Sequence, residues 1–437
     1  MKRKSQGVPS GFRDLLPEEA KVKAWLVKTI KEVYQKWGFL PIETPAVEFT
    51  ETLVGEVTDF NLFNVAPSKE RQTGKSQGLS LRFDHTVPLA RFVVDNMSEI
   101  TFPFKRFVTG SVFRGEAAQV DKGRFRQFDQ FDIDIVGSSN IASDVEVILC
   151  MRDTMRAIVG EKFVIKVNTR KLLNCLPELF QFDKDKLKDV LIELDKRDKV
   201  SQKSLIESIK DIGIGQDEAV KLAEFGMISG DRDDVLTKVK NLFKNISSAN
   251  EAISDLETIN QALKVCNAKE IIFDMSVIRG LGYYTGTVFE TNLLEAPAFG
   301  AVYSGGRYDG LVESFGVQAL PAVGSSAGID RMVAALMSID FKVDADKKKV
   351  IVLPIDQSVT PYAFRVAERV REVGYVCEVY TGNKKKLSDR FTYADKLGYD
   401  YTLIVGEDEE KNETINIRNQ KTKEQKTLSL SELKNFE

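Results

Sequence analysis

The chain has 437 residues, which is enough for two or three domains and a large core. Its 65 acidic and 62 basic side chains give a formal charge of −3, which excludes a uniformly basic nucleic-acid coat but leaves room for local basic patches. No apolar run reaches the length of a membrane span, and the 4 cysteines show no metal or redox spacing, which favours a reducing, cytoplasmic setting.

The first predicted element is an amphipathic helix from Glu18 to Trp37, ended by Gly38. The segment FLPIETPAVE follows, and Pro41 and Pro45 predict a sheet edge or an interface rather than a central strand. The apolar stripe assigned to the helix consists of Ala20, Ala24, Val27, Ile30 and Val33.

A single histidine, His85, occurs in the chain. One imidazole cannot build a histidine-cluster metal site, and a lone histidine is more often structural than catalytic. Zinc enzymes and histidine-based triads are therefore disfavoured, and no metal ligands are predicted among the protein side chains.

Residues 113–137, FRGEAAQVDKGRFRQFDQFDIDIVG, predict two alternating strands joined by a loop with a break at Lys122-Gly123. Arginine forks suit phosphate oxygens, carboxylates suit an ammonium or an exocyclic amine, and an aromatic ring suits a base. The same pattern is typical of a half-exposed hairpin, so from this segment alone both interpretations stay open. The groups concerned are Arg114, Glu116, Arg124, Phe125, Arg126, Phe128, Phe131, Asp132 and Asp134.

The second half of the chain alternates between helical and extended patterns. A helix is predicted from Ser143 to Val159, and the charged, helix-periodic residues 183–265 predict an inserted helical subdomain. Strand patterns return at 271–278, 283–291 and 298–303.

Three glycine-bearing or alternating segments complete the pattern. SGGRYDGLVESFG predicts a turn entering a helix, and PAVGSSAGIDRMVAAL predicts a strand, a small-residue turn and an apolar helix. From residue 349 onward, strands and helices alternate as a separate βαβαβ module with a mostly parallel sheet.

Five separated segments resemble the histidyl-tRNA synthetases, a family of class II aminoacyl-tRNA synthetases. GFLPIETPAVE at 38–48 is similar to the first class II motif, and FRGE with FRQFDQFDID within 113–134 to the second. GIDR at 328–331 is similar to the third. RGLGYYTGTVFE at 279–290 and GGRYDGLVE at 305–313 resemble the two histidine-specific motifs.

The resemblance covers nearly the whole chain and implies an α+β fold. Its catalytic domain would be an antiparallel sheet flanked by helices, formed by residues 1–182 and 266–340. Residues 183–265 would be the helical insertion, and residues 348–437 an α/β anticodon-binding domain.

The implied reaction joins histidine to tRNA(His) in two steps, with ATP and Mg²⁺, through a histidyl-adenylate. Charge builds on the α-phosphate, so fixed cations there contribute most. The resemblance assigns catalysis to Arg114 and Arg279. It assigns ATP binding to Arg114, Glu116, Arg124, Phe128 and Arg331, with Phe128 and Arg331 on the two faces of adenine.

The resemblance also implies a histidine pocket, since a phenol and a carboxylate can complement both ring nitrogens. Its residues would be Asp84, Thr86, Gln130, Asp134, Tyr283 and Tyr284. Ser304, Gly305 and Gly306 would let the backbone approach the substrate. Two departures from the family pattern stand out: Gly282 replaces an acidic residue, and the loop 117–122 is longer than the commonest bacterial form.

The implied partners are tRNA(His), L-histidine and a second copy of the chain in a homodimer, with Pro45 at the dimer interface. Phosphate contacts are assigned to Lys384, Lys385, Lys386 and Arg390, although a solvated loop would look the same. Two alternatives remain: a histidine-sensing regulatory subunit of ATP phosphoribosyltransferase, and a tRNA-binding accessory protein without the chemistry. Retention of three arginines (114, 279 and 331) and of the C-terminal module favours the ligase.

Overall fold

The computed structural model describes residues 7–54, 61–66, 78–197, 200–278, 284–310, 313–315, 319–343 and 348–435. The chain divides into two compact units, Met1–Lys342 and Val343–Glu437. No helix in the described part of the chain combines the length and the apolar character needed to span a bilayer.

A nine-stranded mixed sheet organises the described part of the first unit. Its strands are β1 (Leu40–Pro41), β5 (Phe104–Phe113), β6 (Gln127–Val136), β7 (Phe163–Thr169), β8 (Ser229–Gly230), β9 (Ile271–Asp274), β10 (Thr287–Leu293), β11 (Ala301–Tyr308) and β12 (Ala322–Gly328). Their order is β1-β5-β6-β12-β11-β10-β7-β9-β8. The β1–β5 and β7–β9 pairs are parallel and the others are antiparallel. A small antiparallel sheet contains β2 (Val47–Phe49), β3 (Asn64–Val65) and β4 (Leu79–Leu81).

The helices of the first unit are α1 (Pro17–Lys36), α2 (Thr50–Val54), α3 (Thr86–Asp95), α4 (Ala142–Val159), α5 (Arg170–Leu173), α6 (Leu176–Phe180) and α12 (Ile329–Ser338). Between them in the chain come α7 (Leu187–Leu194), α8 (Gln202–Asp211), α9 (Gln216–Gly226), α10 (Arg232–Leu242) and α11 (Asn250–Val265). These five helices lie within residues 183–265.

Helix α1 begins at a proline and carries two glutamates in its first turn, both favourable at a helix N-terminus. Its predicted stripe is partly wrong, because Ala20 and Ala24 are exposed. The larger side chains of Val22 and Leu26, two positions further along, bury more apolar area and set the rotation of the helix. The buried residues of α1 are Val22, Leu26, Ile30, Val33 and Tyr34.

The two faces of the large sheet differ in character. Side chains alternate along β6, so Phe131 and Ile133 point to one face and are fully buried. Helices α1, α4 and α12 pack together and against the sheet, and the Tyr34 ring lies 4.9 Å from the Phe131 ring. Gln130, Asp132 and Asp134 of β6 point to the opposite face.

The turns predicted at SGGRY and at GSSAG are wrong, because both segments are strand. Gly305 pairs with Phe289 of β10 on one side and with Ser325 of β12 on the other. A Cβ at Gly305 would lie 2.6 Å from the Phe289 ring and 2.6 Å from the Ser325 Cα. These glycines allow close contacts between strands in the sheet interior. Turns also require glycine, so the sequence pattern is the same in the two cases.

The second unit contains β13 (Lys349–Pro354), α13 (Thr360–Glu372), β14 (Val376–Val379), α14 (Leu387–Lys396), β15 (Tyr401–Val405), α15 (Glu407–Asn412), β16 (Thr414–Asn419) and β17 (Gln425–Ser429). The sheet order is β14-β13-β15-β16-β17. The predicted parallel βαβαβ core is confirmed, and β16 and β17 add an antiparallel edge that the sequence did not predict.

Candidate active site

The β5–β6 hairpin arranges the predicted site residues along one sheet face. In the register, Val112 is opposite Phe128, and Arg106 is opposite Asp134. Phe128, Gln130, Asp132 and Asp134 are two residues apart and therefore share a face. On the other side of β6, β12 places Gly328, Ser326 and Gly324 opposite Gln130, Asp132 and Asp134.

Arg114 and Phe128 meet at one end of this face. The Arg114 guanidinium lies 5.2 Å from the centre of the Phe128 ring, and its Nε donates to the Phe83 carbonyl at 3.1 Å. A guanidinium beside an aromatic face is suited to a phosphate next to a purine. The structure thus brings together the two residues predicted for the α-phosphate and adenine.

Arg331 lies in the first turn of α12 and donates to the Ala301 carbonyl at 2.6 Å. The loop between β5 and β6 packs closely against the first turn of α12. If Gly123 carried a Cβ, that atom would lie only 3.0 Å from the Arg331 Cα. Glu116 and Arg124 are exposed on the same loop. The loop and α12 therefore approach each other, whereas Glu116 and Arg124 point into solvent.

The loop between β5 and β6 has its own internal order. Residues Val120–Lys122 form a short 3₁₀ turn, and Gly123 has φ +64°, in the left-handed region that favours glycine. Gln119 and Arg124 form an isolated antiparallel bridge. Arg126 donates to the Glu116 carbonyl at 3.2 Å, so it holds the loop backbone instead of pairing with a strand neighbour.

Asp330 joins four parts of the first unit, a role that the sequence did not predict. One carboxylate oxygen accepts from the Asp129 amide at 2.6 Å and lies 3.4 Å from the Lys23 ammonium. The other accepts from Arg13 at 3.1 Å, and the Arg13 guanidinium stacks 4.1 Å from the Phe125 ring. Its place in GIDR, directly before Arg331, was the one available signal.

Asp84 lies at the start of α3, where its carboxylate accepts from the Val87 amide at 3.2 Å. Burial raises the pKa of Asp84, and Arg114 and Arg106 oppose the shift. Thr86 is the first residue of α3 and is half-buried. The predicted Asp84 and Thr86 therefore sit together at a helix N-terminus.

The lone histidine is a buried structural group. His85 is 1% exposed, and its Nε2 is 3.2 Å from the Gly110 carbonyl oxygen. Burial, with Arg82 and Arg106 nearby, lowers its pKa to about 3. The imidazole is therefore neutral at physiological pH, as expected for a structural histidine.

Asp134 is held by Tyr308 and Arg106, two residues for which the sequence pattern predicted no place in the site. The Tyr308 hydroxyl donates to Oδ1, and the Arg106 guanidinium lies 2.5 Å from Oδ2. Arg106 is fully buried. Burial raises the Asp134 pKa to about 6, although Arg106 and Tyr308 act against the shift. The cross-strand pairing of Arg106 with Asp134 was the signal that could have revealed this contact.

Gln130 and Asp132 meet through Ser326. The Gln130 amide donates to the Ser326 hydroxyl at 2.8 Å, and Asp132 hydrogen-bonds with Ser326. Asp132 is 3% exposed, and burial raises its pKa to about 7, with Arg106 opposing and Asp134 and Asp84 adding to the shift. Asp132 belongs to the hairpin pattern, but the family resemblance assigns it no part in the histidine pocket.

Tyr284 borders the same region. A Cβ at Gly306 would lie 3.0 Å from the Tyr284 ring, which packs in an apolar cluster with Tyr308 and Ala322. Tyr284 is thereby near the Asp134 end of the polar face. Arg279, Gly282 and Tyr283 lie outside the described residues.

The remaining predicted residues belong to other segments of the chain. Pro45 is exposed, and its carbonyl faces Arg82, whose guanidinium also donates to the Thr44 carbonyl at 2.8 Å. In the second unit, Lys384, Lys385 and Lys386 are exposed. Arg390 donates to the Lys384 carbonyl at 2.7 Å and stacks 5.2 Å from the Tyr380 ring.

Comparison with known proteins agrees with this geometry. A model of the histidyl-tRNA synthetase family matches residues 11–332, and an anticodon-binding-domain model matches residues 349–436. A histidine–tRNA ligase of Wolinella succinogenes is 36% identical over 426 residues, covering 95% of this chain and 94% of the relative. One of Clostridium tetani is 36% identical over 432 residues, covering 97% and 95%.

Solved structures give the same picture. The histidyl-tRNA synthetase from Nostoc sp. PCC 7120 superposes with a TM-score of 0.86 at 30% identity, covering 99% of both chains. A Bacillus halodurans protein described as an ATP phosphoribosyltransferase regulatory subunit/histidyl-tRNA synthetase has a TM-score of 0.74 at 22% identity, covering 93% of this chain and 99% of its own, and shows the fold alone.

The mixed sheet, the hairpin site and the anticodon-binding domain define a class II aminoacyl-tRNA synthetase. The predicted fold class is confirmed. Within that class, the chain belongs to the histidyl-tRNA synthetase family.

Proposed function

We propose that the protein attaches histidine to tRNA(His), using ATP and passing through a histidyl-adenylate. The observation that carries the proposal is the shared sheet face of β6. It runs from the Arg114–Phe128 pair to the buried carboxylates Asp132 and Asp134. A nucleotide suits the first end, and an amino acid that carries an ammonium and a basic ring suits the second.

On the nucleotide side, Phe128 stacks on adenine and Arg114 binds the α-phosphate. Arg331 covers the opposite face of adenine, and Glu116 and Arg124 turn inward from the loop to bind the adenine amine and the γ-phosphate. Arg279, which lies outside the described residues, approaches the α-phosphate from the other side. Two fixed cations at this phosphate would each stabilise the transition state by roughly 3 kcal/mol.

On the amino-acid side, Asp84, Thr86 and Gln130 bind the ammonium group. Asp134, Tyr284 and Tyr283 surround the imidazole. The support for this part is the buried, carboxylate-rich character of the face, because buried acids with raised pKa values are typical of functional sites.

Mg²⁺ enters as part of the ATP substrate, because phosphate oxygens are the hard ligands that it prefers. Within the described residues, no group of three or more His, Cys, Asp or Glu side chains is placed to hold a metal ion. The proposal therefore assigns no resident metal to the protein.

The second unit is proposed to bind tRNA through Lys384, Lys385 and Lys386, with Arg390 holding their loop. A homodimer is proposed around Pro45, because Val47 and Phe49 beside it are 39% and 55% exposed. Exposed apolar residues in one short segment are typical of an interface. Cytoplasmic localisation belongs to the same proposal, because tRNA charging supplies protein synthesis there.

ATP–pyrophosphate exchange with each of the common amino acids, followed by charging of tRNA, tests the function. We expect exchange with histidine and transfer to tRNA(His). Stronger exchange with another amino acid would contradict the assigned substrate. Histidine binding without exchange would instead favour the regulatory-subunit alternative, and tRNA binding without exchange would favour the accessory protein.

A further inference from the structure

The segment that precedes α1 is built into the base of the hairpin formed by β5 and β6. The Arg126 amide donates to the Gly11 carbonyl at 2.8 Å, and Gly11 has φ +82°, in the left-handed region that favours glycine. The Arg126 side chain lies directly on this glycine, because a Cβ there would be 2.7 Å from the Arg126 Cγ. The Phe12 ring packs 5.8 Å from the Phe63 ring. Backbone and side-chain contacts thus hold the segment on the hairpin, although the family resemblance assigns it no site residue.

Arg13 connects the hairpin with helix α12. Its guanidinium lies 4.1 Å from the centre of the Phe125 ring and donates to the Asp330 carboxylate at 3.1 Å. A second nitrogen of the same group donates to Glu19 of α1 at 3.0 Å. The side chains of Arg13 and Asp330 are 20% and 6% exposed, so salt screens this pair less than a surface pair. Because a guanidinium is planar and rigid, three contacts fix both its position and its orientation.

Asp330 transmits this restraint to the residues that are proposed to enclose adenine. The pairing of β6 with β12 ends at Gly328, where α12 begins. Beyond that point the Asp330 carboxylate accepts from the Asp129 amide at 2.6 Å and takes the place of a backbone acceptor. Asp129 directly follows Phe128, and Asp330 directly precedes Arg331. One hydrogen bond therefore links the backbone next to Phe128 with the backbone next to Arg331.

Resting on the proposed function, we infer that Arg13 is a positioning residue of the ATP site: together with Asp330 it sets the separation of Phe128 and Arg331 at which adenine is held. Arg13 acts through these residues and does not contact the substrate. A cation interacts with a ring only within about 6 Å of its centre, so the spacing of the two sides matters. A displacement of about 1 Å far from the reacting atoms can cost about 10²-fold in rate.

The charges around Asp330 explain why the contact requires Arg13. The Lys23 ammonium lies 2.9 Å from the Asp129 carboxylate and 3.4 Å from that of Asp330. Without Arg13, Lys23 alone would have to compensate both carboxylates, and Asp330 is only 4% exposed. Two incompletely compensated carboxylates repel each other. Loss of Arg13 should therefore move β6 and α12 apart and widen the adenine site.

Exchange kinetics with Arg13→Gln test the inference. The KM for ATP should rise about tenfold or more, whereas the KM for histidine should stay within about twofold of the wild-type value. Arg13→Lys keeps the charge but lacks the planar group over Phe125, so its KM for ATP should be intermediate.

Two inhibitors of exchange separate the parts of the nucleotide. The inhibition constant of adenosine should rise in step with the KM for ATP, because adenosine depends on the spacing of Phe128 and Arg331. The inhibition constant of inorganic tripolyphosphate should not change. A loss of stability alone reduces the amount of active enzyme and would not distinguish the two inhibitors.

Arg156→Gln is the matched control, because it breaks another partly buried pair of the first unit. Arg156 Nε donates to Glu270 at 2.6 Å, and the two side chains are 37% and 8% exposed. Glu270 directly precedes β9, and in the sheet order four strands separate β9 from β6. The control should be less stable than the wild type but should keep its KM for ATP and both inhibition constants.

A wild-type KM for ATP in folded Arg13→Gln, or equal changes in the two inhibition constants, would overturn the inference. Circular dichroism checks folding, and Arg13→Lys alone decides if Arg13→Gln does not fold. Adenosine binding measured by titration calorimetry requires no amino acid. If the wild type shows no histidine-dependent exchange, the proposed function fails, while the adenosine affinities of the wild type and the Arg13 variants still decide the inference.

Discussion

The Arg307 guanidinium pairs with the Asp144 carboxylate inside the first unit, and thereby ties β11 to the start of α4. Arg307 Nε donates to Asp144 at 3.1 and 3.2 Å, and its NH1 donates to the Ser138 carbonyl at 2.9 Å. The side chains are 6% and 0% exposed. The sequence pattern predicts that Arg307 starts a turn after SGG, and this prediction is wrong, because Arg307 lies within β11.

Breaking this pair should destabilise the first unit. Asp144→Asn leaves the buried guanidinium without its counter-charge, and we expect a loss of about 3–5 kcal/mol in the free energy of unfolding. Urea unfolding followed by tryptophan fluorescence measures it. Glu295→Gln is the control, because its pair with Lys162 is 45% and 62% exposed and should contribute less than about 1 kcal/mol. Equal losses in the two variants would contradict the structural role of the buried pair.

Replacing Arg114 should slow adenylate formation more than it weakens ATP binding. Arg114→Gln removes a fixed cation from the site where charge develops, so kcat for pyrophosphate exchange should fall about 10²–10³-fold. Arg369→Gln, a surface change in the second unit, serves as the control. An Arg114 variant with wild-type kcat would show that this guanidinium does not contact the reacting phosphate.

The raised pKa of Asp132 predicts a pH-dependent stability. An unfolded aspartate titrates near 3.9, whereas the folded-state value is about 7. Between these values the folded chain binds the additional proton, so stability falls as pH rises from about 4 to about 7 and then levels off. Asp132→Asn removes this cost. The free energy of unfolding of the variant should equal that of the wild type near pH 4. At pH 8 it should be higher than the wild-type value by on the order of a few kcal/mol.

Thermal unfolding of the wild type and of Asp132→Asn at pH 4.5, 6 and 8 measures the difference in their stability. A midpoint difference that grows with pH supports the raised pKa. A difference that stays constant across the three values would mean that Asp132 is ionised throughout and that its charge is already compensated.

The lysine cluster of the second unit should affect tRNA and leave the first reaction step alone. Changing Lys384, Lys385 and Lys386 to glutamate replaces attraction to phosphates by repulsion, so KM for tRNA should rise about tenfold or more and its salt dependence should weaken. Histidine-dependent exchange should not change. The control changes Lys421 and Lys426, also exposed, to glutamate. Equal effects of both sets would indicate a general charge effect without a defined contact.

The sequence predicted the hairpin, its shared face and the parallel core of the second unit, because residue periodicity directly determines these features. It could not predict that Asp330 would meet Arg13 and the Asp129 amide, since these contacts join residues 317 and 201 positions apart. Glycines were a second difficulty. The same residue permits a turn and a close strand contact, and only the neighbours of Gly305 decide between them.

The strand order has a consequence for synthesis on the ribosome. Strands β5 and β6 leave the exit tunnel early, but β12, which pairs with the other edge of β6, is completed only at Gly328. During the interval the growing chain presents an open β-strand edge, a known template for aggregation. Nascent chains stopped between Val136 and Ala322 should therefore depend on holding chaperones, and this dependence should end once β12 has emerged.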